Sequence, residues 1–147
     1  RDVPFETFIA KLPECRKQCG DRAVLRAFHI YADNDRVAKQ VTALREGDFT
    51  AFLNLVGESG QSSWEYLQNV IPAGYKEHQE VAVTIAAAKH FLGGKGAVRV
   101  HGGGFAGTVQ AFVPVELLAG FKANMEAILG EGRCHVLSIR PEGGAVL

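Results

Sequence analysis

Six consecutive residues have the composition of a ligand-binding loop: Gly102-Gly103-Gly104-Phe105-Ala106-Gly107. Glycine has no Cβ and adopts positive φ, so consecutive backbone N–H groups can approach an anion or a sugar closely. The alternative is a flexible hairpin turn. Because most hairpins close in two to five residues, a loop of six favours a ligand-facing role.

Two polar residues precede this glycine loop (residues 102–107) on an alternating segment, residues 97–101. Arg99 and His101 alternate with Val98 and Val100, so they share the face opposite the apolar one, unless both faces are covered. Arg99 could bind a phosphate or a carboxylate, or it could be a solvated strand residue. His101 adjoins the loop and could line a pocket.

Three known glycine-loop motifs are excluded by what surrounds residues 102–107. Gly102, Gly104 and Gly107 satisfy the dinucleotide pattern G-x-G-x-x-G, but that motif needs a helix directly afterwards and a strand is predicted here. The same residues match the protein-kinase loop G-x-G-x-x-G-x-V, yet no V-A-I-K, H-R-D or D-F-G segment follows. A P-loop fails because Thr108 stands where the motif needs its lysine.

The chain shows no residue set for catalysis or metal binding. There is no G-x-S-x-G segment and no evident pair of carboxylates for acid and base work. Cys15 and Cys19 are four residues apart, but two thiols without a nearby histidine do not make a zinc site. We predict no catalytic residue and no metal ligand within these residues.

Composition indicates one ordinary domain over residues 1–147. The chain is 47% apolar, 22% charged and has a formal net charge of zero. We therefore expect no nucleic-acid partner, no membrane association and a cytoplasmic location. The chain starts with Arg1 and contains Met125 as its one methionine. We expect a fragment or a processed chain.

Hydrophobic periodicity predicts helices first, then a hairpin, a helix and a last strand. The predicted helices cover residues 5–17 with a break at Pro13, 21–45, 48–57, about 75–92 and 114–129. An irregular turn is expected at residues 60–63, while Trp64 and Tyr66 are expected to pack in the core rather than form an aromatic surface. The predicted strands cover residues 97–101, 108–113 and 134–139. This order is typical of an α+β fold with an antiparallel sheet covered by helices.

Residues 96–107, GAVRVHGGGFAG, resemble the third conserved motif of the GHMP kinases, and among them the galactokinases, G-x-R-x-x-G-G-G-F-G-G. Further segments are similar to that family in the same order: RAFH at 26–29, DNDRV at 33–37, ALREGDF at 43–49 and IRPEGGA at 139–145. Ala106 replaces a glycine of the motif, Phe28 an arginine and Asp33 a glutamate. Residues 60–69 also depart from the family pattern, which leaves the sugar open.

The resemblance implies the C-terminal domain of a galactokinase-like sugar kinase, with the ferredoxin-like fold of that domain type. It implies ATP and Mg²⁺ as cofactors of the full-length enzyme, and a sugar substrate. The N-terminal kinase domain of the same polypeptide would be the partner, so this chain alone is expected to be inactive. The loop residues Gly102, Gly103, Gly104, Phe105, Ala106 and Gly107 would form a substrate or phosphate loop, supported by Arg99 and His101. The alternative is a stand-alone α+β module that binds a small molecule or regulates another protein.

Overall fold

Helices form most of the computed structural model, which describes residues 3–105 and 107–139. Five precede the first strand: α1 (Phe5–Ala10), α2 (Leu12–Cys19), α3 (Asp21–Glu46), α4 (Phe49–Ser62) and α5 (Glu80–Leu92). Then come β1 (Ala97–Val100), β2 (Val109–Phe112), a 3₁₀ turn (Val115–Leu117) and α6 (Leu118–Leu129). The predicted α+β class, an antiparallel sheet covered by helices, is confirmed. The finer ferredoxin-like type is compatible with this order and remains a prediction.

The ends of the long helices are set by residues that the sequence marks clearly. Gly47 ends α3 in the left-handed conformation at φ +72°, and Gly93 ends α5 at φ +54°. Asp48 caps α4, since its side chain accepts a hydrogen bond of 2.9 Å from the N–H of Ala51. Helix α3, the longest, is amphipathic; no helix of residues 3–105 and 107–139 is long and apolar enough to cross a membrane.

The two strands pair antiparallel, with Ala97 opposite Phe112 and Arg99 opposite Gln110. Val98 and Val100 of β1 face a core formed with α5 and α6. The core residues are Val70, Val81, Ala82, Ile85, Ala88, Leu92, Val98, Val100 and Met125. The sheet therefore contributes its valine face to the main hydrophobic core.

Helix α4 covers the other face of the sheet. The rings of Phe52 on α4 and Phe112 on β2 meet edge to face, with their centroids 5.3 Å apart. Gly60 lies directly against β1: a Cβ there would come within 2.9 Å of the Arg99 Cβ and 3.2 Å of the Val98 carbonyl oxygen. Both faces of β1 are thus covered, and the glycine lets helix and strand approach closely.

The predicted end of α4 and the predicted start of α5 are both wrong. The expected end of α4 at Gly57 and the expected turn at 60–63 are both helical, and a π-helical turn, Ser63–Leu67, continues the chain. Packing against β1 outweighs the low helix propensity of Gly57 and Gly60. Helix α5 begins at Glu80, not near residue 75, because residues 68–79 form an irregular connection.

The predicted last strand, residues 134–139, is not a strand in the described part of the chain. Cys134 packs against the core, but Val136, Leu137 and Ile139 are 62%, 87% and 90% exposed. Alternation of apolar residues is a local pattern, whereas a strand also needs a neighbouring edge to which its backbone can bond. The described sheet consists of β1 and β2, and residues 134–139 pair with neither strand.

Candidate functional site

The glycine loop joins β1 to β2 and projects from the end of the hairpin. Its base is closed by the hydrogen bond, 3.0 Å long, that the N–H of His101 donates to the Thr108 carbonyl oxygen. Gly102 and Gly107 have positive φ values of +62° and +84°. Both are exposed, as is Gly103, and no atom would lie within 4 Å of a Cβ built on any of the three. The loop therefore presents open backbone on one side.

The other side of the loop rests on Asn69. Gly104 is buried, has φ +73°, and a Cβ there would overlap the Asn69 carbonyl oxygen and lie 2.7 Å from Asn69 Nδ2. The N–H of Phe105 donates a hydrogen bond of 3.0 Å to that carbonyl oxygen. Phe105 is 44% exposed and is one of two described non-glycine residues with positive φ. Glycine is thus required at position 104 both by conformation and by space.

Of the predicted loop residues, the structure places Gly102 to Phe105 and Gly107 together in this loop. Ala106 lies outside the described residues. The loop itself is as predicted, and its role in binding stays a prediction.

Arg99 is not a solvated strand residue. Its Nη1 donates a hydrogen bond of 2.6 Å to Ser59 Oγ on α4, and its Nε donates one of 3.1 Å to the Val100 carbonyl oxygen. Ser59, which is 1% exposed, in turn donates a hydrogen bond of 2.6 Å to Asp33 Oδ1 on α3. Arg99 therefore ties α3 and α4 to the residue at which β1 ends.

Asp33 is shared by three polar partners. Besides the Ser59 hydroxyl, it accepts a hydrogen bond of 2.7 Å from Arg36 Nη1, and its Oδ2 lies 3.7 Å from His29 Nε2. His29 Nδ1 is 3.0 Å from Ser62 Oγ, within hydrogen-bond distance. We call His29, Asp33, Arg36, Ser59, Ser62 and Arg99 the polar network. It joins α3, α4 and β1 beneath the base of the loop.

His29 is 4% exposed and lies within hydrogen-bond distance of Ser62 Oγ, so it is a buried histidine with a polar partner. Burial lowers its pKa, the Asp33 carboxylate opposes this, and the Arg36 and Arg99 guanidinium groups add to it. The surrounding protein therefore favours the neutral form of His29.

His101 and two aromatic residues stand at the surface. His101 is exposed at the base of the loop, so it is available to line a site there. Trp64 and Tyr66, expected in the core, are 41% and 39% exposed. They lie on the π-helical turn that leads to Asn69, where i→i+5 winding spaces side chains differently from an α-helix.

The described residues contain no cluster of three or more His, Cys, Asp or Glu that could hold a metal ion. One surface depression lies between α3 and α4 and is lined by Ala38, Thr42 and Leu55 among others. Another lies at residues 74–78. Neither is lined by a described residue of the glycine loop.

Sequence reasoning missed Asn69 and the partners of Arg99. The spacing of His29, Asp33 and Arg36 on one helix face, four and three residues apart, could have indicated a polar cluster. Nothing in the sequence pairs Ser59 with Arg99, which are 40 residues apart. Asn69 likewise carries no motif, since it matters only through its position under Gly104.

Comparison with known proteins shows similarity to bacterial galactokinases. The galactokinases of Mannheimia succiniciproducens and Actinobacillus pleuropneumoniae are each 33% identical to the chain over 116 residues, and that of Glaesserella parasuis is 34% identical. Each match covers 79% of this chain and 28% of the relative, so the chain spans little more than a quarter of these curated relatives. No family model matches the chain.

Proposed function

We propose that this chain, which is galactokinase-like over 79% of its length, is the C-terminal domain of an ATP-dependent sugar kinase. The full-length protein would transfer the γ-phosphoryl group of ATP to a hydroxyl group of a sugar such as galactose. The chain matches only 28% of its relatives. The residues that bind the sugar and activate its hydroxyl would then belong to an N-terminal domain of the same polypeptide.

The observation that carries the proposal is the form of the glycine loop. Phosphoryl transfer depends on positioning and on stabilising charge, with little covalent work for the protein. Gly102, Gly103 and Gly107 offer backbone without side chains on the open face of the loop. Gly104, seated on Asn69, fixes the opposite face. Such a loop suits close packing against a phosphate group or against the loop that holds it.

The residues of the glycine loop fit ATP better than they fit Mg²⁺. The open glycine backbone suits the phosphates of ATP, because a phosphate can approach the N–H groups there without contacting a Cβ. Mg²⁺ needs carboxylate or other oxygen ligands, and residues 102–105 and 107 have no side-chain oxygen. The magnesium ligands would therefore come from ATP itself and from the rest of the polypeptide.

Arg99 and His101 support this loop in different ways. Arg99 supports the loop indirectly, because its guanidinium donates hydrogen bonds to the Ser59 hydroxyl and the Val100 carbonyl oxygen. His101 is exposed beside the loop and would line the site. Neither is assigned a catalytic step. We further propose the cytoplasm as the compartment, where ATP is available and thiols such as those of the three free cysteines stay reduced.

A phosphotransfer assay tests the proposal. The full-length protein and the 147-residue chain would each be incubated with Mg·ATP and a panel of hexoses and pentoses, and the sugar phosphate would be quantified. We expect turnover with galactose or a related sugar from the full-length protein and none from the chain alone. Turnover by the isolated chain would contradict the proposal that this chain is an inactive part of a larger kinase. Absence of turnover with every sugar, together with saturable binding of a small molecule by the isolated chain, would support a stand-alone binding module instead.

A further inference from the structure

The residue beneath the glycine loop, Asn69, is 2% exposed. It supports the loop twice: its carbonyl oxygen accepts the Phe105 N–H at 3.0 Å, and its side chain packs against Gly104. It is the point at which the chain after α4 contacts the loop. A change at Asn69 is therefore transmitted directly to the loop.

The side-chain amide of Asn69 has no hydrogen-bond partner among the described residues. Both Oδ1 and Nδ2 are buried and unpaired. A side-chain amide can donate two hydrogen bonds and accept two, and leaving these unmade in a buried place costs free energy. Because the amide atoms are shielded from solvent, a new partner can reach them only if the neighbouring backbone moves.

Backbone strain is concentrated at the same contact. Gln68, which precedes Asn69, has φ +55°, and Phe105 has φ +50°. Both are non-glycine residues in the left-handed region: Gln68 precedes the residue that accepts the Asn69–Phe105 hydrogen bond, and Phe105 itself donates it. The π-helical turn Ser63–Leu67 ends at Gln68. Strained residues and π-helical turns concentrate where proteins bind or switch.

We infer that Asn69 is a positioning residue that destabilises the resting position of the glycine loop. By resting position we mean the one described above, in which Gly104 and Phe105 contact Asn69. Its amide is unpaired while the loop rests on it, and it gains backbone partners from Gly102–Phe105 when the loop shifts to engage a phosphate group. The unpaired amide and the two strained residues thus keep the shifted position accessible. The ligand-engaging step of this inference rests on the proposed function, whereas the effect on the resting loop does not.

Asn69→Leu in the full-length protein tests this inference, because leucine has the same number and branching of side-chain heavy atoms and no polar atoms. Without ligand, we expect a higher Tm and slower hydrogen exchange in the peptide containing Phe105, since the resting loop no longer buries an unpaired amide. With Mg·ATP and galactose as the probe, we expect KM for ATP to rise about tenfold, because fewer molecules adopt the shifted loop. Asn54→Leu, at an exposed asparagine on α4, should change neither loop exchange nor KM.

An unchanged or lower Tm, or unchanged or faster loop exchange, in Asn69→Leu would overturn the inference, because it would show that the amide is already satisfied at rest. Should that variant not fold, Asn69→Ala keeps the backbone contact to Phe105, and its loop exchange decides in the same way. A full-length protein without kinase activity would refute the proposed function. The Tm and exchange results would still decide the role of Asn69.

Discussion

Arg99 Nη1 donates a hydrogen bond of 2.6 Å to the buried hydroxyl of Ser59, across 40 residues of sequence. The same hydroxyl donates to Asp33, so one oxygen connects a strand to two helices. Arg99 also holds the carbonyl oxygen of Val100, the last residue of β1. Strand β1, which leads into the glycine loop, is therefore anchored to α3 and α4, while the loop itself has exposed backbone.

Replacing the connecting hydroxyl is expected to destabilise the protein. Ser59→Ala removes one donor and one acceptor and leaves Asp33 and Arg99 without their shared partner. We expect the free energy of unfolding to fall by about 1–3 kcal/mol, the usual cost of leaving buried polar groups unpaired. Chemical denaturation with urea measures this directly.

Ser63 provides the matched control for Ser59. It is 0% exposed, and its Oγ has no hydrogen-bond partner among the described residues. Ser63→Ala should therefore leave stability unchanged or raise it, because no hydrogen bond is lost. Equal losses from the two substitutions would contradict the role assigned to the Ser59 hydroxyl.

Two glycines within α4 are expected to respond oppositely to alanine. At Gly57, a Cβ meets no atom within 4 Å, so Gly57→Ala should stabilise the helix by about 0.5–1 kcal/mol. At Gly60, the Cβ would lie 2.9 Å from the Arg99 Cβ, and overpacking of this kind costs about 1–3 kcal/mol. Thermal unfolding should give a higher Tm for Gly57→Ala and a lower one for Gly60→Ala; two increases would show that α4 and β1 do not pack this closely.

Stability should fall at mildly acidic pH because of His29. Its pKa is lowered in the folded protein, first by burial, so the unfolded chain binds a proton more readily. The stability contributed by neutral His29 is present above about pH 6.5, the ordinary histidine pKa, and is lost as pH falls through the folded pKa. Urea unfolding between pH 8 and pH 5 should therefore show a smaller acid loss for His29→Gln than for the unsubstituted protein. The same loss in both would assign the effect to other groups, and His135→Gln, at an exposed histidine, is the control.

Sequence alone predicted the features that depend on local chemistry. The end of α3, the start of α4, the end of α5, the hairpin and the position of the loop all follow from residue type and spacing, and the structure confirms them. The sequence does not predict that α4 continues through Gly60, because residue type alone does not distinguish a glycine that permits close packing from one that ends a helix.

The rest of the site depends on contacts between distant segments. By its place in the sequence Arg99 could be a solvated strand residue, and only the packing of α4 against β1 shows that it is covered. Asn69 belongs to no motif, and its role follows only from its contact with Gly104 in the folded chain. Residues 134–139 alternate like a strand, but pairing needs an adjacent edge, which the sequence of one segment cannot reveal. Long-range partners, rather than local propensity, decide these three cases.

The central claim, that the glycine loop forms one wall of a phosphotransfer site, is tested most directly by comparing two alanine substitutions in the full-length protein. Gly104→Ala forces a Cβ against Asn69 at φ +73°, whereas at Gly120, an exposed residue of α6, a Cβ meets no atom within 4 Å. We expect kcat/KM for ATP-dependent phosphorylation of the sugar to fall about 100-fold in Gly104→Ala, as a small displacement of a positioning element can cost, and to stay close to that of the unsubstituted protein in the control variant Gly120→Ala. Equal rates for both variants and the unsubstituted protein would contradict the claim.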